Sequence, residues 1–263
     1  MPNLQLSLRT RYSGSYIATD TDAAAYITAV EAADGQSLEN SVRVAYDNFF
    51  IGTKADGDYS KLNNTRILGG ARTLAGALVP LKPAMTAWTN VGFVAGDYSR
   101  TLGLKGNGSN KYLDTNVLNN VAPLNDSHLL TYITEARPTA GCYMGAGGGT
   151  NQQRHFGFNS STTIFVRGTS GAVSFPTVDA TGLIGYTRSI DTSFRVFTGS
   201  SSTVITRASN DGPGVSLYVF ARNNDGTADL YSDARIIFAS DGTANSTALQ
   251  GRLDTLKAAL GAL

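Results

Sequence analysis

The chain has 263 residues, 41% of them apolar and 16% charged, with 21 basic against 20 acidic side chains and a formal net charge of +1. So much apolar content with so little net charge excludes a disordered chain. The even spread of charge leaves no basic footprint for nucleic acid and no polybasic run for an anionic membrane. Cys142 is the only cysteine, which excludes an internal disulfide and a cysteine-based zinc site.

Taken in chain order, residues 1–21 read as an extended arm, because Leu4, Leu6 and Leu8 alternate with polar residues. A lone strand is marginal in water, so the arm is expected to pair with a neighbouring subunit or with its own body. Met1–Tyr12 has no apolar core of a secretory signal, and Leu74–Leu81 is too short to span a bilayer; synthesis and assembly in a cytoplasm are expected. Residues 22–84 read as a helical preface. Asp22 is placed to cap a helix carrying Tyr26, Ile27, Val30 and Ala33, stopped at Asp34-Gly35. Ser37 is placed to cap a second helix with Leu38, Val42, Ala45, Tyr46, Phe49 and Phe50 on one stripe, ended by Gly52 and Asp56-Gly57. Two short amphipathic helices make no core alone, so their stripes need cover from the rest of the chain or from another chain.

Residues 85–263 read as short strands between turns. Leu102–Lys105, Lys111–Thr115, His128–Thr134, Thr163–Arg167, Phe194–Phe197, Val215–Ala221 and Ala234–Ala239 show period-two patterning or short apolar runs. Asn107-Gly108, Asp211-Gly212, Asp225-Gly226 and Asp241-Gly242 supply turn signals. The spacing predicts a β-sandwich or barrel. Leu249, Leu253, Leu256 and Leu260, with Asn245 or Ser246 as cap, predict a closing helix.

The run Gly103-Leu104-Lys105-Gly106-Asn107-Gly108-Ser109-Asn110-Lys111-Tyr112-Leu113 resembles the opening hairpin of laminin-G-like domains, with Asn107 where Asp is usual. Leu183–Arg188 with Phe194–Thr198, and Tyr231–Phe238 before the last helix, resemble later strands of the same family in the same order. This likeness covers roughly the last two-thirds of the chain and implies a mainly β, concanavalin-A/laminin-G-like jelly-roll sandwich. Asp22–Gly35, Leu68–Leu81 and Gly96-Asp97-Tyr98-Ser99-Arg100 resemble a group of bacteriophage and prophage proteins in which a helical preface precedes such a jelly roll. That second likeness implies a particle component.

Candidate chemistry is thin. Glycoside hydrolases on this fold need paired carboxylates on one strand face. The only glutamates are Glu31, Glu39 and Glu135; two fall in the preface, and Glu135 has no acidic neighbour two residues away. His128 and His155, the only histidines, are separated by 26 residues without a cysteine nearby and read as hydrogen-bonded strand residues rather than metal ligands. Asn223-Asn224-Asp225-Gly226-Thr227-Ala228-Asp229 gathers oxygen ligands, but its vocabulary is that of a turn. Gly145-Ala146-Gly147-Gly148-Gly149 lacks the Lys-Ser/Thr of a phosphate loop and reads as a hairpin tip. Trp88, Tyr143, Phe156, Phe158 and Tyr186 are the sugar-stacking candidates, with core packing as the plainer alternative.

These readings predict no catalytic, cofactor-binding or metal-binding residues and no enzyme activity. The expected function is a structural protein of a bacteriophage virion, a capsid decoration or tail-associated protein bound to major capsid or tail subunits. A homo-oligomer, such as a trimer, is expected from the arm and the apolar stripe. The alternative is a carbohydrate-binding adhesin or tail-fibre module that recognises host surface glycans. Neither nucleic acid nor membrane is an expected partner.

Overall fold

A computed structural model describes residues 14–136, 140–147, 153–160, 163–168, 173–176, 181–209 and 211–263. The alternating leucines of the predicted arm lie outside them. Helix α1 (Thr21–Asp34) and helix α2 (Asn40–Ala55) open the described chain. There follow β1 (Leu62–Ile67), α3 (Leu74–Ala77), β2 (Thr89–Val91), β3 (Tyr98–Ser99), β4 (Gly103–Lys105), β5 (Tyr112–Leu118) and β6 (Ser127–Glu135). Next come β7 (Gly141–Gly147), β8 (Gln153–Ser160), β9 (Thr163–Arg167), β10 (Val173–Pro176), β11 (Gly182–Arg188), β12 (Ser193–Gly199) and β13 (Ser202–Thr206). The chain closes with β14 (Ser216–Val219), β15 (Arg222–Asn224), β16 (Thr227–Asp229), β17 (Arg235–Gly242) and α4 (Ala248–Gly261).

Among the described residues these strands form an eight-stranded sheet, ordered β13-β12-β11-β6-β17-β4-β3 with β1 also on β17, and a nine-stranded sheet, ordered β10-β9-β8-β7-β14-β5-β2 with the β15–β16 hairpin beside β7. Neighbours in each sheet are distant in sequence, as when β6 sits between β11 and β17. The protein is a jelly-roll-like β-sandwich of two antiparallel sheets, and mainly β as its sequence predicts.

Strand alternation separates two cores. On β6, Leu129 and Ile133 point into the sandwich, joining Tyr143, Phe156, Ile184 and Val219. Leu130 and Tyr132 point the other way, into a second core with Tyr26, Val42, Tyr46, Phe49, Phe50 and the four leucines of α4. The helices therefore lie as a layer over the outer face of the eight-stranded sheet. Every residue of the predicted stripe is buried there, from Phe50 at 0% exposure to Ala45 at 5%. The stripe asks for no second subunit.

Several local expectations change. Asp20, not Asp22, caps α1: its backbone is extended, and its carboxylate accepts from the Asp22 and Ala23 amides. Asp22 instead pairs with Lys54 at 2.6 Å. Ser37 caps nothing; Glu39 holds the N-cap position of α2 without a side-chain cap bond, and its carboxylate bridges Arg72 and Arg100. Gly35 does end α1 in the left-handed conformation, at φ 67°. Segment 62–67, inside the predicted helical preface, is a strand paired with β17 from Leu62 opposite Gly242 to Ile67 opposite Phe238. It shows no alternation because helices cover one of its faces and the sandwich the other. Asp241-Gly242 is the end of β17, not a turn. Thr247 takes the N-cap position of α4 without a side-chain bond, although the Ser246 hydroxyl accepts from the Ala248 amide.

The segments likened to phage proteins meet at one seam. Gly69 O accepts from the Tyr46 hydroxyl, the Gly70 amide donates to Arg100 O, and Ala71 O accepts from the Tyr98 hydroxyl and Arg100 Nε. These hydrogen bonds help hold the helical layer on the sandwich. The chain ahead of α1 is likewise tied down: the buried Asp47 carboxylate accepts from the Tyr16 hydroxyl, the Thr19 amide and hydroxyl, and the Asp20 amide.

Candidate functional site

Helices seal the eight-stranded sheet, and among the described residues none lies over the outer face of the nine-stranded sheet. Its side chains follow from strand alternation. Leu113 and Leu217 point inward, so Tyr112 and Asp114 on β5 and Tyr218 on β14 point outward. The Tyr112 and Tyr218 rings stack at 4.4 Å between centroids and 30° between planes; the Tyr231 ring lies 6.3 Å from Tyr112. Burial, with the neighbouring Tyr112 ring and Asp114 carboxylate, pushes the Tyr218 phenol up to about 12. Tyr218 is itself 6% exposed, packed beneath its neighbours, so Tyr112 and Tyr231 are the rings of this cluster that reach the surface.

Across the same face, Ile164 and Val166 on β9 point inward and Phe165 and Arg167 outward. His155 pairs across the ladder with Arg167 on one side and Gly145 on the other. Gly145, at φ 145°, leaves no room for a side chain; a Cβ there would meet the His155 Cβ at 2.2 Å. The His155 ring packs edge-on against Phe165, with centroids 5.4 Å apart. Arg222 from β15 joins the group, gripped by Asp229 through Nε at 2.8 Å and Nη2 at 2.5 Å. These side chains line a depression of about 160 Å3. Burial holds His155 at about 3, with the charges of Arg222 and Arg167 pressing in the same direction, so its ring is neutral near pH 7.

A second hollow of about 440 Å3 opens at one end of the sandwich, where Asn63, Asn64 and Asp241 meet Asn116–Leu118 and the loop at Val121–Pro123. Asp241 is 5% exposed and accepts from Asn64 Nδ2 at 2.7 Å, while Asn64 Oδ1 accepts from Trp88 Nε1. Burial raises the Asp241 carboxyl to about 7, against the lowering effect of the Asn64 hydrogen bond and of Arg154.

The residues singled out from the sequence do not converge. Glu31 binds Arg43, and Glu39 lies at the helix seam. Glu135, at the end of β6, pairs with Lys105 and Arg235, both at 3.1 Å. His128 is fully buried on the helix side, with Nδ1 at 2.6 Å from Thr243 O and Nε2 at 2.8 Å from the Ser240 hydroxyl. Burial lowers it to about 4. The Asn223–Asp229 run is a β-hairpin: Asp225 and Gly226 both have positive φ, 49° and 89°, as a tight two-residue turn requires. Gly145, Ala146 and Gly147 lie within β7 rather than at a tip, and Gly148 and Gly149 fall outside the described residues. Trp88, Tyr143, Phe156, Phe158 and Tyr186 are all core, none more than 8% exposed. The aromatics outside the sandwich core are Tyr112, Tyr218, Tyr231 and Phe165, of which Tyr112 and Tyr231 are partly exposed; strand parity around Leu113 and Ile164 would have selected Tyr112 and Phe165. Among the described residues no group of three or more His, Cys, Asp or Glu is placed to hold a metal ion.

No family model matches the chain, and no curated protein matches it. Among solved structures it is similar to the NanB sialidase of Streptococcus pneumoniae, at 12% identity and a TM-score of 0.40, over 57% of this chain and 26% of that one. It is similar to the Ruminococcus gnavus IT-sialidase CBM40 bound to α2,3-sialyllactose, at 15% identity and a TM-score of 0.36, over 53% and 84% of the two chains. It is also similar to a leech intramolecular trans-sialidase, at 15% identity and a TM-score of 0.36, over 53% and 24%. The chain thus spans about a quarter of the two whole sialidases. The class defined by the strand order and layers is a jelly-roll-like β-sandwich with a helical layer on one face.

Proposed function

We propose that the protein is a non-catalytic carbohydrate-binding domain whose ligand lies across the open face of the nine-stranded sheet. The observation that carries this reading is the Tyr112, Tyr218 and Tyr231 cluster on that face. Phenol rings match the apolar C–H patches of sugars while their hydroxyls trade hydrogen bonds with sugar hydroxyls. The glutamates argue in the same direction: Glu31, Glu39 and Glu135 are each committed to arginine or lysine partners and are not paired with one another. A glycan array probed with the folded protein tests the reading. Binding to a defined glycan class is expected, and Tyr112→Ala should abolish it while the variant still unfolds cooperatively. A blank array, or binding indifferent to both Tyr112→Ala and Tyr231→Ala, would sink it.

The virion setting is a second reading. It is supported by the seam at Gly69–Ala71 and Tyr98–Arg100, which uses the segments that resemble phage proteins. In that setting the domain would display its open sheet on a particle and face host surface glycans. Electron microscopy of purified particles labelled with an antibody to this chain tests it, and unlabelled particles would count against it.

A further inference from the structure

We infer that the hollow at the sandwich end, beside Asp241, is a binding site for a small organic ammonium ion: a protonated amine carried on an apolar body. This site is separate from the sheet face of the carbohydrate reading and does not rest on it.

The polar part of the hollow is built to accept hydrogen bonds. Asp241 carries the only charge among the described residues that line it. The side chain is 5% exposed; Oδ1 accepts from Asn64 Nδ2, while Oδ2 has no hydrogen-bond partner and opens to the hollow. Asn116, also in the lining, uses both of its amide N–H groups on the protein, on Ala87 O at 2.8 Å and Thr89 Oγ1 at 2.9 Å. That leaves its Oδ1 as an acceptor. An ammonium group, with three donors and no acceptor, is the complement of such a lining.

Charge points the same way. Burial raises the Asp241 carboxyl to about 7, even though the Asn64 hydrogen bond and Arg154 act to lower it. Arg154 does not reach the carboxyl as an ion-pair partner, because its Nε donates to the Tyr186 hydroxyl and its Nη1 to Asn119 O. A buried carboxylate without a paired cation holds a proton instead, and an ammonium donating to Oδ2 would take that proton's place. A single carboxylate suits an organic cation better than a metal ion, which needs several oxygen ligands.

The remaining walls are apolar and held in place. Leu118 and Val121 are 46% and 66% exposed, and with Pro123 they line the hollow above the carboxyl. Large apolar side chains left open around one buried acid mark a ligand with both characters. Their turn is fixed by the Val121 amide on Leu118 O, the Asn119 amide on Val215 O and Asn119 Nδ2 on Arg154 O. At about 440 Å3 the hollow has the size of a small-molecule site, with room for an alkyl chain or one ring beyond the amine.

Calorimetric titration of the full chain at pH 8 with pentylammonium, pentanol and pentanoate tests the site, since the three probes share a body and differ in charge. Pentylammonium is expected to bind about ten- to a hundredfold tighter than pentanol, and pentanoate more weakly than either. Asp241→Asn keeps an acceptor for Asn64 and should bring pentylammonium down to the affinity of pentanol. Val121→Lys sets a fixed ammonium at the exposed lip, away from the packed floor, and should weaken pentylammonium at least tenfold. Equal affinity for pentylammonium and pentanol overturns the site, as does an ammonium preference that survives Asp241→Asn. Failure of all three probes to bind overturns it too, and none of these results bears on glycan binding at the tyrosines.

Discussion

The two outer faces of the sandwich began as equivalent surfaces and have opposite fates. On the eight-stranded sheet, Leu130, Tyr132, Leu183, Phe197 and Phe238 point out from the strands and are buried at once under α1, α2 and α4. On the nine-stranded sheet, the outward positions hold Tyr112, Tyr218, His155, Arg167 and Arg222, and the described chain lays no helix over them. The first face is aliphatic and aromatic without hydroxyl or charge to spare; the second mixes ring faces with polar tips. A surface under permanent cover differs in composition from one left without helical cover, and here both occur on one fold.

The largest effect that could break this contrast is a cavity under the helices. Phe50, fully buried between α2, Tyr26 and Tyr59, should cost about 3–5 kcal/mol when changed to Ala. Tyr112→Ala on the open face should cost less than half of that in the same urea titration. Equal losses would mean that the open face is as much a part of the packing as the covered one.

Acid titration sharpens the contrast next, because both sheets bury titratable groups: His128 and Asp241 on the eight-stranded sheet and His155 on the nine-stranded one. His128 and His155 are held neutral down to about 4 and about 3, so protons taken up by the unfolded chain below pH 6.5 destabilise the fold. Asp241 works in the opposite sense: it stays protonated in the fold up to about 7 while the unfolded chain releases its proton above 3.8. Between about pH 4 and 6.5 the two histidines outnumber the one carboxyl, so these groups should make stability rise by about 1.4 kcal/mol per pH unit. Asp241→Asn keeps an acceptor for Asn64 and removes the opposing group. It should double that slope and stabilise the protein at pH 8 by up to about 4 kcal/mol, an advantage that vanishes below pH 4. Denaturant melts of both proteins at pH 4, 6 and 8 check the sign; a variant less stable at pH 8 would show that the Asp241 carboxylate is a stabilising partner in the Asn64–Trp88 chain.

The smallest change is expected where neither face is involved. Glu135, 38% exposed at the end of β6 with Lys105 and Arg235, should change stability by under about 1 kcal/mol as Glu135→Gln and leave glycan binding untouched. Lost binding in that variant would move the ligand from the sheet face to the sheet end.

The sequence by itself determined the sandwich, the long helices and seven of the seventeen strands among the described residues, because hydrophobic period is a local property. Leu249, Leu253, Leu256 and Leu260 marked a helix face wherever that helix came to rest, and all four are buried. Thr163–Arg167 was bounded at the same residues by its apolar run. Strands buried on both faces were harder: Leu62–Ile67 carries two asparagines and an arginine yet is a strand, since Asn64 finds Asp241 and Trp88, and Arg66 finds the Leu78 and Thr86 carbonyls, only after folding. The site was less legible still. Aromatic type drew attention to Trp88, Tyr143, Phe156, Phe158 and Tyr186, but which rings face out depends on strand parity and on which sheet the helices cover. Those are long-range facts: α2 packs on a sheet that includes β17, almost two hundred residues away, and Arg222 comes beside His155 through the pairing of β15 with β7. Local pattern fixes what each segment can be, whereas the tertiary structure chose which face was left open, because covering one sheet with the helices used up the apolar surface they had to bury.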